Sequence, residues 1–257
     1  MISVLAYERK LKIVDFLKRN QTATTEELVN HFGVSGSTIR RDLDSLAKMK
    51  LIVRTHNGAM ILAPNVDRSF AVSYNIMKDE KQQIAKAAAR LIDEKDFVAI
   101  SGGSTAYYLA EELITLPIGD LTILTNSINI MTLILESSKS FGLIVAGGVP
   151  MKGSYECVGE ITLSTIRRFN IDKFFMGVNG VSIEGGISFN NQEEAAVARE
   201  ICNRSNKVVV MADSTKFGIT KRMKVMDVED VDVFVTDRLD EKRKEEFAEV
   251  IRTLITD

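Results

Sequence analysis

Along the first sixty residues apolar positions recur at helical spacing. Ile13, Phe16 and Leu17 share one face of a segment over 7–19. A second helix opens on Thr24, with Glu27 three residues on as its capping-box partner, and buries Leu28 and Phe32. It stops at Gly33, the residue type favoured just past a helix end. Only Gly33 and Val34 separate it from Ser35, the cap of a third helix over 36–50 with Ile39, Leu43 and Leu46 at i, i+4 and i+7. Two helices joined by so short a glycine-containing turn predict a helix-turn-helix. Apolar runs over 51–55 and 59–62 then flank His56-Asn57-Gly58. Asn-Gly between such runs predicts a tight hairpin, because both residues tolerate φ > 0. The hairpin would be a wing on the three helices.

Residues 63–78 have no clear period and contain Pro64, as expected of a linker. Beyond them the pattern changes. Apolar β-type runs at 97–100, 121–125, 143–146, 174–178, 208–211 and 233–235 alternate with helical stretches at 82–92, 105–114, 127–136 and 193–204. That alternation predicts an α/β domain with a mostly parallel sheet covered by helices. Phe247, Val250, Ile251 and Leu254 fall at helical spacing and predict an amphipathic helix closing the chain. The expected organisation is a small module over 1–62, a linker over 63–78 and a larger α/β domain over 79–257.

Composition adds two points. With 45% hydrophobic and 26% charged residues, the chain has the profile of an ordinary globular protein. No apolar run approaches the roughly 18 residues that span a bilayer, and the start lacks the order of a signal peptide. A cytoplasmic protein with no membrane partner is expected. Cys157 and Cys202 lack metal-type spacing and read as reduced thiols, so neither metal nor cofactor is expected. Charge is divided unevenly. Residues 1–60 carry ten Lys/Arg and six Asp/Glu; the rest carries 23 and 29, from totals of 33 and 35. A basic module on an acidic body suggests a polyanion partner for the module alone.

The third helix supplies the chemistry for that partner. Opposite its apolar face lie Ser37, Arg41, Asp44 and Lys48, with Thr38 and Arg40 at the flanks. An arginine near a helix N-terminus can pair bidentately with guanine in the major groove, which makes Arg41 the first candidate base reader. Thr24, Thr25 and Ser35 at the two helix starts are further candidate contacts, and Arg54 and His56 near the wing tip are placed for phosphates. Asp44 would repel phosphate and is expected to pair with Arg40 or Lys48. A small bundle whose charges merely face water is the alternative. Two caps, a tight turn, a basic face and a basic hairpin in this order favour double-stranded DNA.

In open α/β sheets ligands bind beyond the carboxyl ends of the strands. Those ends read Ser101-Gly102-Gly103-Ser104-Thr105, Thr125-Asn126-Ser127, Gly147-Gly148, Asn179-Gly180 and Asp213-Ser214-Thr215-Lys216. Gly102 and Gly103 allow close backbone approach, and the helix begun by Ser104 and Thr105 favours an anion. Lys216 adds positive charge, and Asn126, Ser127 and Asp213 suit hydroxyls. Singly, each end is better explained as a turn or a cap. Together, five such ends in register favour a polar ligand site.

The run from Val34 to Leu43, Arg9, Ile13 and Leu17 resemble the signature of the DeoR family of bacterial repressors. The wing resembles that family's Arg-x-His-Gly-Gly-Ala, with Asn57 in place of the first glycine. Glu80-Lys81, Gly103-Ser104-Thr105, Thr125-Asn126-Ser127, Gly147-Gly148, Val158-Gly159, residues 177–180, Glu194-Ala195 and residues 212–218 resemble its sensor domain. That domain is akin to ribose-5-phosphate isomerase and coenzyme A transferases. The resemblance implies a winged helix-turn-helix followed by a sensor for a phosphorylated sugar or related metabolite. Two positions depart from it: Ser101 where the family often has aspartate, and Ala198 where lysine is expected. The rival reading is a sugar-phosphate isomerase with an accessory DNA-binding domain, which needs a carboxylate base such as Glu193, Glu194 or Asp213. Both histidines, His31 and His56, lie in the first module, and no acidic run follows Asn179-Gly180 before Glu184. A non-enzymatic regulator is therefore expected. It should act as a dimer or tetramer, because one small module offers too little surface for tight specific binding.

Overall fold

The computed structural model describes residues 2–20, 22–49, 51–61 and 70–256. The chain divides into two compact units, Met1–Val72 and Ser73–Asp257. Of the expected linker, residues 63–69 lie outside the described residues, and a short helix, Phe70–Asn75, follows them.

The first unit contains α1 (Ile2–Asn20), β1 (Thr22–Thr24), α2 (Thr25–Phe32), α3 (Gly36–Lys48), β2 (Ile52–Arg54) and β3 (Gly58–Ile61). Both expected caps form. Thr24 Oγ1 accepts from the Glu27 N–H at 3.1 Å while Glu27 Oε2 accepts from the Thr24 N–H at 2.7 Å. The Thr24 N–H and Oγ1, both of which donate to Glu27 Oε2, hold the Glu27 carboxyl below the usual carboxylate range. α2 ends at Gly33 with φ 65°. Ile13, Leu17, Leu28, Ile39 and Leu43 are fully buried and form the core. Polar contacts add direction to the packing of α1 on α3: Arg9 Nε donates to the buried Asp42 at 2.6 Å, and Lys10 Nζ to Ser45 Oγ at 2.9 Å.

The wing differs from its expected form in two ways. β1 adds a third strand, giving the antiparallel order β1-β3-β2. The turn is centred on His56-Asn57, closed by Thr55 N–H to Gly58 O at 3.1 Å, and among the described residues of this unit the left-handed position is Gly33, not Asn57 or Gly58. Gly58 is required for another reason. It lies opposite Thr24 in the β1–β3 register, and a Cβ there would collide with the backbone of Ala23 and Thr24. The glycine serves a strand crossing that hairpin statistics do not contain.

In the second unit α4 is the helix Phe70–Asn75, which begins just before the unit boundary. It is followed by α5 (Lys78–Ala89), β4 (Phe97–Ile100), α6 (Ser104–Leu113), β5 (Thr122–Thr125), α7 (Ile128–Glu136) and β6 (Gly142–Val145). Then come β7 (Val149–Pro150), β8 (Cys157–Val158), α8 (Glu160–Ile166), β9 (Ile171–Gly177), β10 (Gly180–Ser182), β11 (Gly186–Phe189) and α9 (Gln192–Asn203). The chain closes with β12 (Ser205–Met211), β13 (Met223–Met226), β14 (Val233–Thr236), α10 (Glu241–Phe247) and β15 (Leu254–Thr256). Seven parallel strands form the main sheet in the order β15-β14-β12-β9-β4-β5-β6.

Its strands are apolar on both faces, as buried parallel strands must be. Val98 and Ile100 of β4 enter one core and Ala99 the other; Phe175 of β9 opposes Phe174 and Met176 in the same way. From β4 the sheet grows one way through β5 and β6, with α6 and α7 on one face. From β9 it grows the other way, with α9 and α10 on the opposite face. A constant crossover hand forces that exchange of faces when the direction reverses. The reversal lies between β4 and β9, so their carboxyl ends flank the switch-point crevice.

The closing helix stops at Phe247, short of the helical spacing that continues to Leu254. β15 then pairs in parallel with β14. Leu254, at helical spacing from Phe247, is instead an edge-strand residue, because main-chain pairing along β14 competes with a fourth helical turn.

Candidate functional site

In the first unit, burial of Ile39, Asp42, Leu43 and Leu46 sets the rotation of α3. Ser37, Arg40, Arg41, Asp44 and Lys48 are consequently exposed, and Thr38 is half-buried. Three hydroxyls meet at the helix start: Ser35 Oγ lies 3.0 Å from Ser37 Oγ and 2.9 Å from Thr38 Oγ1. Ser35 and Thr24 are both occupied as caps. Thr25 donates its N–H to Asn57 O at 2.7 Å, tying the start of α2 to the wing turn in which His56 is exposed. Asp44 pairs neither with Arg40 nor with Lys48. Its Oδ1 lies 3.6 Å from Nη1 of Arg54 in β2, and Arg54 is half-buried there. The α3 face is thus an exposed row of arginines and hydroxyls on a helix held rigidly from behind.

In the second unit the crevice between β4 and β9 opens on Ser101-Gly102-Gly103. Gly103, at φ 94°, stands at the N-cap of α6 and supplies no side-chain hydrogen bond. Ser104 and Thr105 are buried in the first turn. The end of β9 approaches closely: a Cβ on Gly177 would lie 3.6 Å from Gly102 O.

Beside this turn sits a residue that the sequence reading missed, Glu156. It is buried, and its Oε2 accepts from Asn126 Nδ2 at 3.1 Å. The Gly102 N–H also donates to it, and Glu194 of α9 lies close enough to repel it. Burial and then Glu194 push the Glu156 carboxyl up to about 7, against the opposing pull of Asn126 and Gly102. Gly102 is a glycine because a Cβ there would overlap the Glu156 side chain. Two buried atoms nearby, Ser101 Oγ and Asn126 Oδ1, have no hydrogen-bond partner. Buried polar atoms are almost always satisfied, so this pair points to a partner from outside the chain. Ser101, Gly102, Asn126 and Glu194 are therefore gathered around Glu156. No sequence period marks Glu156: it lies in an irregular stretch 30 residues from Asn126.

The remaining strand-end residues are held by the fold. Ser127 caps α7. Asn179 Oδ1 accepts from the Asn190 N–H at 3.0 Å. Gly147 O accepts from Thr162 Oγ1 at 2.9 Å, and a Cβ on Gly148 would strike Thr162 and Val158. Asp213 caps a short 3-10 turn and accepts from Thr215 Oγ1. Lys216 Nζ lies 4.0 Å from Asp213 Oδ2. Asp237, beyond β14, accepts from Ser214 N–H and Oγ at 2.5 and 3.0 Å, which fixes that turn. A separate shallow cleft of about 280 Å³ lies at the amino end of β14. Asp227, Glu229 and Asp230 line it, which makes it hostile to anions.

Residues 9–65 match the DeoR-like helix-turn-helix domain, and residues 76–238 match the DeoR C terminal sensor domain. The chain belongs to the DeoR family. It is 31% identical over 235 residues to the HTH-type transcriptional repressor GlcR of Bacillus subtilis, covering 90% of this chain and 88% of the other. It is also 31% identical over 230 residues to the glycerol-3-phosphate regulon repressor of Escherichia coli, covering 90% of each. Ribose 5-phosphate isomerase A from Methanocaldococcus jannaschii aligns over 55% of each chain at 16% identity and a TM-score of 0.40. Among the described residues of this DeoR-family chain no helix is long and apolar enough to cross a membrane.

Proposed function

We infer that this DeoR-family chain is a sequence-specific repressor of carbohydrate metabolism whose operator binding responds to a phosphorylated sugar in the β4–β9 crevice. Residues 1–62 read the DNA and residues 79–257 sense the metabolite. One observation carries the DNA half: burial of Ile39, Leu43 and Leu46 forces Ser37, Arg40 and Arg41 outward on α3. Arg41 reads bases, Arg40, Lys48 and His56 contact phosphates, and Thr25, Ser37 and Thr38 line the approach. Thr24 and Ser35 contribute through their caps, and Arg54 through its hold on Asp44. In the crevice the uncapped start of α6 takes the phosphate and Ser101, Asn126 and Glu156 take the sugar. Two copies bind paired half-sites, and the effector acts by binding the free and DNA-bound states with different affinity.

The experiment is fluorescence anisotropy with operator and unrelated duplexes at two salt concentrations. Arg41→Ala lowers specific affinity about 10- to 100-fold, the worth of one bidentate base contact, with a much smaller loss on unrelated DNA. Equal loss on both duplexes removes Arg41 as a base reader.

The isomerase reading gains one observation, since a carboxyl held at about 7 suits a general base. Glu156 is nevertheless already engaged by Asn126 Nδ2 and Gly102 N–H, as befits a binding group. Turnover of pentose phosphates by the purified chain would reverse this preference.

A further inference from the structure

The atoms around Glu156 specify more than a generic sugar. Asn126 Nδ2 donates both to Glu156 Oε2 at 3.1 Å and to Cys157 O at 3.0 Å. Its amide orientation is fixed by those bonds, so the partnerless atom is Oδ1, which can only accept. Ser101 Oγ, at the adjoining end of β4, also lacks a partner. Glu156 offers further lone pairs, and the titratable groups facing it are Glu194 on α9 and Cys157 on β8. The site therefore presents acceptors and negative charge. A ligand carboxylate or second phosphate would be repelled. A hydroxyl gives one donor and brings lone pairs of its own. An ammonium has three donors, no acceptor and the opposite charge. The other end of the crevice has the reverse polarity, because α6 is a ten-residue helix whose cap, Gly103, supplies no side-chain bond to its first turn.

We propose that the crevice selects a phosphorylated amino sugar with a free amine, its phosphate at the start of α6 and its ammonium on Asn126 Oδ1, Glu156 and Ser101 Oγ. The inference rests on the sugar-phosphate reading of this crevice. Acetylation of the amine removes the charge and all but one N–H donor, adds a carbonyl acceptor and a methyl group, and excludes the ligand.

Titration calorimetry on the full chain at pH 7.5 tests it with matched pairs: glucosamine against glucose 6-phosphate, and galactosamine against galactose 6-phosphate. In at least one pair the amine binds about 10- to 100-fold more tightly, as a charge-assisted contact does over a neutral one, and N-acetylglucosamine 6-phosphate binds no better than glucose 6-phosphate. Glu156→Gln brings the ratio close to one. Glu194→Gln, which leaves the buried hydrogen bonds of Glu156 in place, lowers it partway and serves if the first variant does not fold. Equal affinity within both pairs overturns the amine selectivity and leaves the sugar-phosphate reading standing. Absence of binding by every sugar phosphate overturns both.

Discussion

Replacing Glu156 by glutamine removes a titration that the fold has moved from 4.5 to about 7. Below pH 4.5 the carboxyl is protonated in the folded and unfolded chain alike, and glutamine has nearly the same shape. Between 4.5 and 7 the folded protein holds a proton that the unfolded chain has released, so the contribution of Glu156 to stability falls as pH rises. Above 7 the whole cost of ionising a buried carboxyl beside Glu194 is present. That interval, at about 1.4 kcal/mol per pH unit, amounts to about 3 kcal/mol. The variant should therefore gain about 3 kcal/mol on the wild type between pH 4.5 and pH 8. Its net advantage at pH 8 is smaller, because glutamine cannot accept from both Asn126 Nδ2 and the Gly102 N–H, and one lost hydrogen bond costs about 1 kcal/mol. Urea unfolding followed by circular dichroism at pH 4.5, 6 and 8 measures the difference, since titrations common to both proteins cancel. A variant-to-wild-type difference that is constant across these pH values would refute the account of Glu156.

Three further outcomes follow from the packing. Gly58→Ala places a methyl against the Ala23 backbone and should destabilise the first unit by about 1–3 kcal/mol, with a matching loss of operator binding at the lowered melting temperature. Asp42→Ala leaves Arg9 without its buried partner and should cost about 2 kcal/mol in urea unfolding; a cost below about 0.5 kcal/mol would mean that the pair contributes nothing. Gly103→Val forces a branched side chain to φ 94° at the start of α6, so anisotropy should show normal operator affinity with no response to sugar phosphate, and a retained response would move the phosphate site elsewhere.

The legibility of this chain varies with the range of the interactions. Local signals sufficed for α2 and α3: a capping box, a left-handed glycine and a 3.6-residue period are all satisfied within one or two turns. The β runs of the second unit were also readable, since a strand buried on both faces is continuously apolar. Failures occurred where a distant partner intervened. The strand β1 was invisible because three residues form a strand only when β3 is beside them. Asn57-Gly58 suggested a left-handed turn, yet Gly58 exists to let β1 cross. The closing segment has helical spacing, and pairing with β14 turned its end into β15.

The ligand crevice follows the same rule. The small polar residues after each strand were visible in the sequence, because every βα turn needs them. Which of them converge was decided by the reversal of sheet growth between β4 and β9. That reversal set Ser101, Gly102 and Asn126 around Glu156, while Gly147 is bonded to Thr162 of α8, Asn179 to Asn190 beyond β11, and Asp213 within its own turn. Periodicity and near neighbours along the chain were enough for a helix-turn-helix with an outward arginine face and an α/β domain with polar strand ends. The place of a buried glutamate, 30 residues from Asn126 along the chain, at the centre of the crevice emerges with packing alone, because burial and charge proximity arise when distant segments meet.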